Sequence, residues 1–160
     1  MSDATGPSLA EWASGRNALV RLTARFYEKV PADPLLAPVF AAMSPQHAGL
    51  VASFIAEVFG GGTPYTSGGG SHATMIGRHL GRRLTHEQRR RWIALMLETA
   101  DEVGLPDDPE FRAAFVGYLE WGTRLAVINS QEGVAPPIDN PPLPAWNWGP
   151  PGGPYRGSGD

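Results

Sequence analysis

The sequence contains no cysteine, which excludes disulfide bonds, thiolate metal sites and cysteine nucleophiles. It also lacks an excess of basic residues, since 13 Lys and Arg stand against 16 Asp and Glu, for a net charge of −3. Nucleic-acid binding is therefore not expected, because it requires a clustered surplus of positive charge. The basic residues between Arg82 and Arg91 are interpreted as a solvated helix face.

Long hydrophobic runs are absent as well. No apolar stretch reaches the ~18 residues of a membrane-spanning helix, and residues 1–13 lack the apolar centre of a signal peptide. We therefore expect a cytoplasmic protein that makes no membrane contact. A chain of 160 residues with 42% hydrophobic content is long enough for one domain with its own core.

Proline is unevenly distributed, since half of the 16 prolines lie between Ala135 and the C-terminus. Proline fixes φ and removes a backbone donor, so no regular helix or strand is expected in this part of the chain. We predict a folded domain over residues 1–130 and an extended or disordered segment over residues 131–160. The apolar side chains of Ile138, Trp146 and Trp148 leave open whether part of that segment lies along the domain surface.

Helix-start signals occur repeatedly before the proline-rich segment. A capping side chain precedes proline at Asp33-Pro34, Ser44-Pro45 and Asp108-Pro109, and Thr85 to Gln88 forms a capping box. Apolar residues then recur at helical spacing in three stripes. The stripes are Val51, Phe54, Ile55 and Val58; Trp92, Ile93, Met96 and Leu97; and Phe111, Phe115, Tyr118, Gly122 and Leu125. We predict an all-α domain over about residues 8–129, with residues 60–70 as a glycine-rich loop.

Histidines at positions 47, 72, 79 and 86 are the candidate metal ligands. His72 and His79 stand two helical turns apart and could share a helix face, but two ligands do not make a zinc site. No HExxH pattern or comparable cluster is present. A serine hydrolase is also disfavoured, because no Gly-x-Ser-x-Gly elbow occurs.

Haem is the cofactor that needs the fewest protein ligands, since one imidazole can hold the iron within an apolar helical pocket. Residues suited to such a pocket are present, although an amphipathic stripe by itself more often forms plain core. Apolar walls are available from Phe40, Val51, Phe54, Ile76, Leu80 and Leu95, and polar groups from Tyr27, His47 and Trp92.

Several short blocks carry a more specific signal through their order and spacing. They are Arg25-Phe26-Tyr27, DPLLAPVF over residues 33–40, EVFGG over 57–61 with Tyr65 soon after, His72-x-x-Met75-x-x-Arg78-His79, Arg91-Trp92 and YLEWG over 118–122. Together they resemble the group II truncated haemoglobins from about Leu9 to Ser130. The resemblance implies a truncated, 2-on-2 globin fold that binds haem b.

The resemblance also assigns roles to individual residues. It implies that His79 is the proximal iron ligand, and that Trp92, thirteen residues later, borders the distal site and offers an indole N–H. Tyr27 corresponds to the distal tyrosine whose hydroxyl donates to the bound ligand. His47 takes the position of the distal gate, where its ring either turns inward as a third donor or points out towards solvent.

Further assignments concern the contacts with the porphyrin. Phe40 corresponds to the aromatic residue that packs on the ring, and Val51 takes the next distal position after His47. Phe54 and Ile76 are assigned to the pocket walls, and Tyr65 and Arg83 to the haem propionates. The sequence departs from the family at Ser14-Gly15, where a double glycine is usual, and at Val51, which is smaller than usual and implies a roomier pocket.

The expected function is therefore the binding of dioxygen and other small ligands (NO, CO, peroxide) for redox chemistry. Nitric oxide dioxygenation and peroxidase-like turnover are the candidate reactions, and either needs an external reductase because the chain carries no flavin or nicotinamide motif. Two alternatives stay open: a gas sensor or oxygen-binding globin whose C-terminal segment docks a partner, and a cofactor-free helical interaction domain. The sequence does not indicate an oligomeric state.

Overall fold

The computed structural model describes residues 6–157 and contains no strand within that range, which confirms the all-α prediction. A 3₁₀ turn over Val30–Ala32 extends the second helix. None of the described helices combines the length and apolar character needed to cross a bilayer. The α-helices are α1 (Leu9–Trp12), α2 (Arg16–Lys29), α3 (His47–Val58), α4 (Pro64–Ser67), α5 (His72–Gly77), α6 (His86–Val103) and α7 (Pro109–Asn129).

The two longest helices begin where their caps predict. The Thr85 hydroxyl accepts from the Gln88 N–H at 3.0 Å, and the Gln88 side chain accepts from the Thr85 N–H at 3.0 Å. This capping box starts α6, and Asp108 starts α7 by accepting from the Phe111 N–H at 3.0 Å. Helix α6 ends at Gly104, whose φ of 80° is a left-handed conformation that favours glycine.

The core lies between the four longer helices. Helix α2 packs against α3 and α6, and α6 packs against α7. Phe26 of α2 and Phe115 of α7 are fully buried, and Phe111 stacks on Phe115 with ring centroids 5.7 Å apart. The predicted apolar stripes therefore point into the core, and burying them supplies most of the stabilisation.

The helix predicted at Asp33-Pro34 does not form, and residues 34–42 make a series of turns instead. Asp33 still acts as a cap, because its carboxylate accepts from the Leu36 N–H at 3.1 Å. Pro38 stops propagation: it has no N–H for the next helical hydrogen bond, and it disfavours helical backbone in the preceding residue. These turns bring Phe40 between α2 and α3.

Helix α3 begins at His47 rather than directly at Ser44-Pro45. The backbone carbonyl of Ser44 accepts from the His47 N–H at 3.1 Å, and no side chain caps the helix. The predicted capping role of the Ser44 side chain is therefore wrong. The later start places His47 in the first turn of α3, close to α2.

The stretch predicted as a glycine-rich loop includes the short helix α4. The Glu57 carboxylate accepts from the backbone N–H groups of Tyr65 and Thr66 at 3.0 and 2.9 Å, so it satisfies the free amides at the start of α4. Gly70 lies against the Tyr65 ring, where an added Cβ would be 2.4 Å from Cζ. A glycine is needed there for steric reasons.

Residues 131–157 contain no helix or strand, as their proline content predicts. The segment is nevertheless attached to the domain. The indole N–H of Trp146 donates to the Ala114 carbonyl and that of Trp148 to the Pro7 carbonyl, both at 3.0 Å. Ile138 stays 99% exposed. Residues 1–5 and 158–160, which the domain prediction also covers, lie outside the described range.

Candidate functional site

A cavity of about 530 Å³ lies between the α2, α3, α6 and α7 helices and the end of α5. This volume is within the range of roughly 300–1,000 Å³ that is typical of cofactor and small-molecule sites. Its lining is largely apolar, with a few polar side chains on opposite sides. All the predicted site residues except Tyr65 and Arg83 line it: Tyr27, Phe40, His47, Val51, Phe54, Ile76, His79 and Trp92.

His79 lies in the turn that follows α5, where its N–H donates to the Ile76 carbonyl at 3.0 Å. Burial lowers the pKa of His79, the positive charge of Arg82 lowers it further, and a hydrogen bond with the Met75 carbonyl acts in the opposite direction. The imidazole is therefore neutral at pH 7. A neutral imidazole keeps one ring nitrogen unprotonated and is therefore suited to bind a metal centre.

The pairing of His72 and His79 on one helix face, considered for zinc, does not occur. Helix α5 ends at Gly77, so His79 falls beyond it. His72 instead donates from Nδ1 to the Pro142 carbonyl at 3.1 Å. Among residues 6–157, no three His, Asp or Glu side chains lie close enough together to hold a metal ion.

Three polar side chains of the cavity lining come from α2, α3 and α6: Tyr27, His47 and Trp92. The Tyr27 hydroxyl lies 3.2 Å from Nε2 of His47, and the two rings meet edge to face. Burial raises the pKa of Tyr27, and a hydrogen bond with the Trp92 side chain offsets part of that rise. The indole N–H can only donate, so Trp92 places a donor near the Tyr27 hydroxyl, which has one proton of its own to donate.

The His47 ring lines the cavity, which answers the question of its direction left open by the sequence. Burial lowers the pKa of His47, and the positive charges of Arg78 and Arg82 lower it further, as does His79. The neutral ring can accept the Tyr27 proton at Nε2. Tyr27 therefore has an acceptor inside the protein.

Aromatic and aliphatic side chains surround this polar cluster. Phe40 packs edge to face on Tyr27 with ring centroids 5.4 Å apart, and Trp92 packs on Phe26 at 5.2 Å. The expected wall residues Leu80 and Leu95 do not line the cavity. Leu95 is instead buried in the core, one turn further along α6 than Trp92.

Asp33 fixes the distance between two parts of the site. Its buried carboxylate accepts from the Arg91 guanidinium, which joins the turns that carry Phe40 to the helix that carries Trp92. Burial raises the pKa of Asp33, but the hydrogen bonds from Arg91 and Leu36 outweigh burial and hold it below its usual value. The carboxylate is therefore ionised at neutral pH and keeps the two elements together.

Tyr65 lies outside the cavity lining. Its hydroxyl donates to the Ser71 carbonyl at 3.1 Å, which leaves it no free donor for a cofactor. The ring packs edge to face on Phe54 at 5.1 Å and so supports the cavity wall from behind. The structure gives Tyr65 a packing position, and a propionate contact stays a prediction.

Arg83 is also directed away from the cavity. Its guanidinium pairs with Glu132 at 2.8 Å, where both side chains are largely exposed. Arg78 and Arg82 line the cavity in its place, on either side of His79 in sequence. A sequence signal for them was available, since Arg78 directly precedes His79 in one of the quoted blocks.

The basic run was expected to form a solvated helix face, and for Arg89 this is wrong. Arg89 is only 6% exposed and lines the cavity. Its guanidinium pairs with Glu120 of α7 at 3.2 Å and donates to Nδ1 of His86 at 3.2 Å. Only the exposed Arg90 fits the original interpretation fully.

Sequence reasoning assigned no site role to α7 or to the C-terminal segment, yet both line the cavity. Tyr118 and Trp121 contribute from α7, and Pro144 contributes from the segment. Tyr118 is 7% exposed, and burial raises the pKa of its hydroxyl. That hydroxyl makes no hydrogen bond to any residue in the described range, so it is a polar group available to an occupant of the cavity.

Comparison with known proteins adds an independent line of evidence. Residues 8–120 match the family model of the bacterial-like globins. The curated group 2 truncated hemoglobin YjbI of Bacillus subtilis (strain 168) is 34% identical over 120 residues, which is 75% of this chain and 88% of that protein.

Solved structures agree with this relationship. The truncated oxygen-avid haemoglobin of Bacillus subtilis superposes with a TM-score of 0.66 and 31% identity, over 76% of this chain and 99% of that chain. The thermostable hemoglobin of the actinobacterium Thermobifida fusca superposes with a TM-score of 0.65 and 28% identity, over 76% and 97% of the two chains. The helical arrangement described above is thus the one found in truncated haemoglobins.

Proposed function

The chain belongs to the bacterial-like globin family, as a group II truncated haemoglobin, and on this premise we propose that it holds haem b in the cavity with His79 as the iron ligand. As a member of this family it is a haem-based binder of dioxygen and other small ligands. When bound, haem would supply an iron atom able to coordinate such ligands. The observation that carries the proposal is that neutral His79 lines the same cavity as the Tyr27, His47 and Trp92 cluster.

The cavity fits haem in its size and in its chemistry. It is large, lined mainly by apolar side chains, and offers one buried neutral imidazole as a metal ligand. Arg78 and Arg82 line it beside that imidazole, and their guanidinium groups suit the two carboxylates of a propionate-bearing ring. We propose these two arginines as the propionate partners, because Arg83 is paired with Glu132.

On the distal side, the chain's contribution is a set of oriented hydrogen-bond donors. Trp92 and Tyr27 both line the cavity, and Tyr27 can direct its O–H either to His47 or to a ligand in the cavity. Phe40, Val51 and Phe54 surround this position with apolar groups. Donors fixed in a water-poor site stabilise negative charge that develops on a bound ligand.

We further propose that the protein uses this site for redox chemistry rather than for transport. Strong donation to a ligand slows its release, which favours reaction over delivery. The relative described as oxygen-avid is consistent with slow release in this family. Nitric oxide dioxygenation and peroxidase-like turnover are the candidate reactions, and both require a separate reductase.

The sensor alternative receives less support from the structure. It assigned the Trp-rich C-terminal segment to a partner, but Trp146 and Trp148 donate to carbonyls of the chain's own domain. Family membership in turn argues against the cofactor-free interaction domain. Neither alternative has a specific observation in its favour.

The test is an optical spectrum of the purified, haem-reconstituted protein beside the His79→Ala variant. A strong Soret band that His79→Ala abolishes or grossly shifts is the expected result. The exposed His86, substituted as His86→Ala, is the matched control and should leave the band unchanged. A native protein without a Soret band after reconstitution would overturn the proposal, and an unchanged band in His79→Ala would remove His79 from its role.

A further inference from the structure

The C-terminal segment is held to the domain by two tryptophans. The backbone N–H of Trp146 donates to the Val58 carbonyl at 2.8 Å, and its indole N–H donates to the Ala114 carbonyl at 3.0 Å. Its ring packs edge to face on Tyr118, 5.7 Å between centroids. Trp148 adds an edge-to-face contact with Trp12 at 5.9 Å. These contacts fix the segment across α3 and α7.

A second set of contacts joins the same segment to the start of α5. The side-chain oxygen of Asn140 accepts from the Ala73 N–H at 3.3 Å, and the Pro142 carbonyl accepts from Nδ1 of His72 at 3.1 Å. The Ala73 N–H is one of the amides that a helix leaves without an internal partner. The segment therefore completes the hydrogen bonding of the first turn of α5.

Helix α5 has little packing of its own to hold it in place. It is six residues long, and none of those residues is buried. His79 follows its last residue by two positions, so any displacement of α5 moves the proposed iron ligand. In sequence, Pro144 lies between the residues that make the two sets of contacts, and it lines the cavity directly.

From these contacts we propose that residues 140–148 are part of the haem site. Pro144 completes the cavity wall, Trp146 anchors it, and the Asn140 and Pro142 contacts position α5 and with it His79. The segment thereby slows the loss of haem. The family match ends at residue 120, so this element lies outside the region shared with the bacterial-like globins. The inference rests on the proposed function, since it takes the cavity occupant to be haem.

The test measures the rate at which the full-length holoprotein transfers haem to an excess of a haem-scavenging apoglobin. Trp146→Ala should release haem about threefold to tenfold faster, the change expected from losing one or two hydrogen bonds and their packing. Ile138→Ala, in the same segment but with a side chain that is 99% exposed, is the matched control and should match the native rate.

Asn140→Ala keeps the test decisive if Trp146→Ala fails to fold. Asn140 is exposed. Among the described residues, its side chain makes one hydrogen bond, which it accepts from the Ala73 N–H. This variant should keep the native apoprotein melting temperature, accelerate haem release, and shift the iron–histidine stretching band in the resonance Raman spectrum of the ferrous form. A structural role remote from the site would leave that band unmoved.

The possible failures are distinguishable. This inference would be overturned if Asn140→Ala and a folded Trp146→Ala both released haem within about twofold of the native rate and left the iron–histidine band unchanged. Haem binding itself would stand in that case. The limit is twofold because such a change corresponds to less than half the free energy of a typical hydrogen bond. A native chain that shows no Soret band would overturn the proposed function, and this inference with it.

Discussion

Tyr27 and His47 share a hydrogen bond in the cavity wall, with the hydroxyl 3.2 Å from Nε2. A phenol has a single proton, and the neutral His47 ring offers one acceptor nitrogen for it. A ligand in the cavity competes with the His47 ring for that proton. The protein therefore holds the Tyr27 donor ready and oriented, without leaving a buried hydroxyl unsatisfied when no ligand is present.

Tyr27→Phe should accelerate dioxygen dissociation from the ferrous holoprotein by about tenfold, the effect of losing one good hydrogen bond to the ligand. Stopped-flow displacement of dioxygen by carbon monoxide measures this rate. Tyr155→Phe, which changes a partly exposed tyrosine of the C-terminal segment, serves as the control. An unchanged rate in Tyr27→Phe would mean that the hydroxyl does not reach the ligand.

The free energy of unfolding of the apoprotein should fall as pH is lowered from 7.5 to 5.5. Burial lowers the pKa of both His47 and His79 from 6.5, so between their folded values and 6.5 the unfolded chain binds more protons than the folded one. The stability from keeping these rings neutral is complete above pH 6.5. It is lost as pH falls towards the folded values.

Urea unfolding at the two pH values measures this loss, and His47→Gln should reduce it. Carboxylates contribute little in this window, because the ordinary pKa values of Asp and Glu lie below it. Hydrogen bonds to basic side chains lower the pKa of Asp33, Glu102 and Glu120 further. A native-like pH dependence in His47→Gln would show that the His47 ring is not buried in its neutral form. The apoprotein is used so that His79 is free to titrate.

Asp33→Ala should lower the free energy of unfolding by about 2–4 kcal/mol, because it leaves a buried amide and a guanidinium without their acceptor. Thermal unfolding of the apoprotein measures the change. Asp139→Ala, at an exposed position, should stay within about 0.5 kcal/mol of native. Equal effects of the two substitutions would contradict the assignment of Asp33 as the connection between the Phe40 turns and α6.

Gly70→Ala should destabilise the fold by about 1–3 kcal/mol, because the new methyl group would lie 2.4 Å from the Tyr65 ring. Gly49→Ala is the matched control, since no atom lies within 4 Å of its added Cβ and it sits inside α3. That substitution should stabilise by about 0.5–1 kcal/mol. Chemical denaturation of both variants tests the pair, and a neutral Gly70→Ala would show that the Tyr65 ring moves aside easily.

The parts of the fold that the sequence predicts well are those encoded locally. Thr85 and Asp108 start α6 and α7 because a cap needs only its own side chain and an amide three residues ahead. The same rule failed at Asp33, where the cap forms but Pro38 five residues later prevents the helix. The order and spacing of the sequence blocks also predicted that His79 and Trp92 share a pocket, and both line the cavity.

What the sequence could not predict depends on contacts between distant residues. Arg89 belongs to a basic run that is typical of exposed helix faces, and its burial follows from Glu120, 31 positions away on another helix. The sequence could not show whether Trp146 packs on the domain, because the carbonyl that accepts from its indole belongs to Ala114, 32 positions away. Neither partner is marked by any local pattern, so only the three-dimensional arrangement identifies it.

The hydrogen bond from Trp148 to Pro7 joins residues 141 positions apart. Such a contact closes nearly the whole chain into a loop, and its entropic cost must be met by elements that are already assembled. Residues 140–148 follow all the described helices in sequence, and they attach to carbonyls of segments far earlier in the chain. We therefore expect the helices to assemble around a cavity that is still open on one side before the segment adds the last wall. This order leaves an interval during folding in which a large planar cofactor can enter from that side.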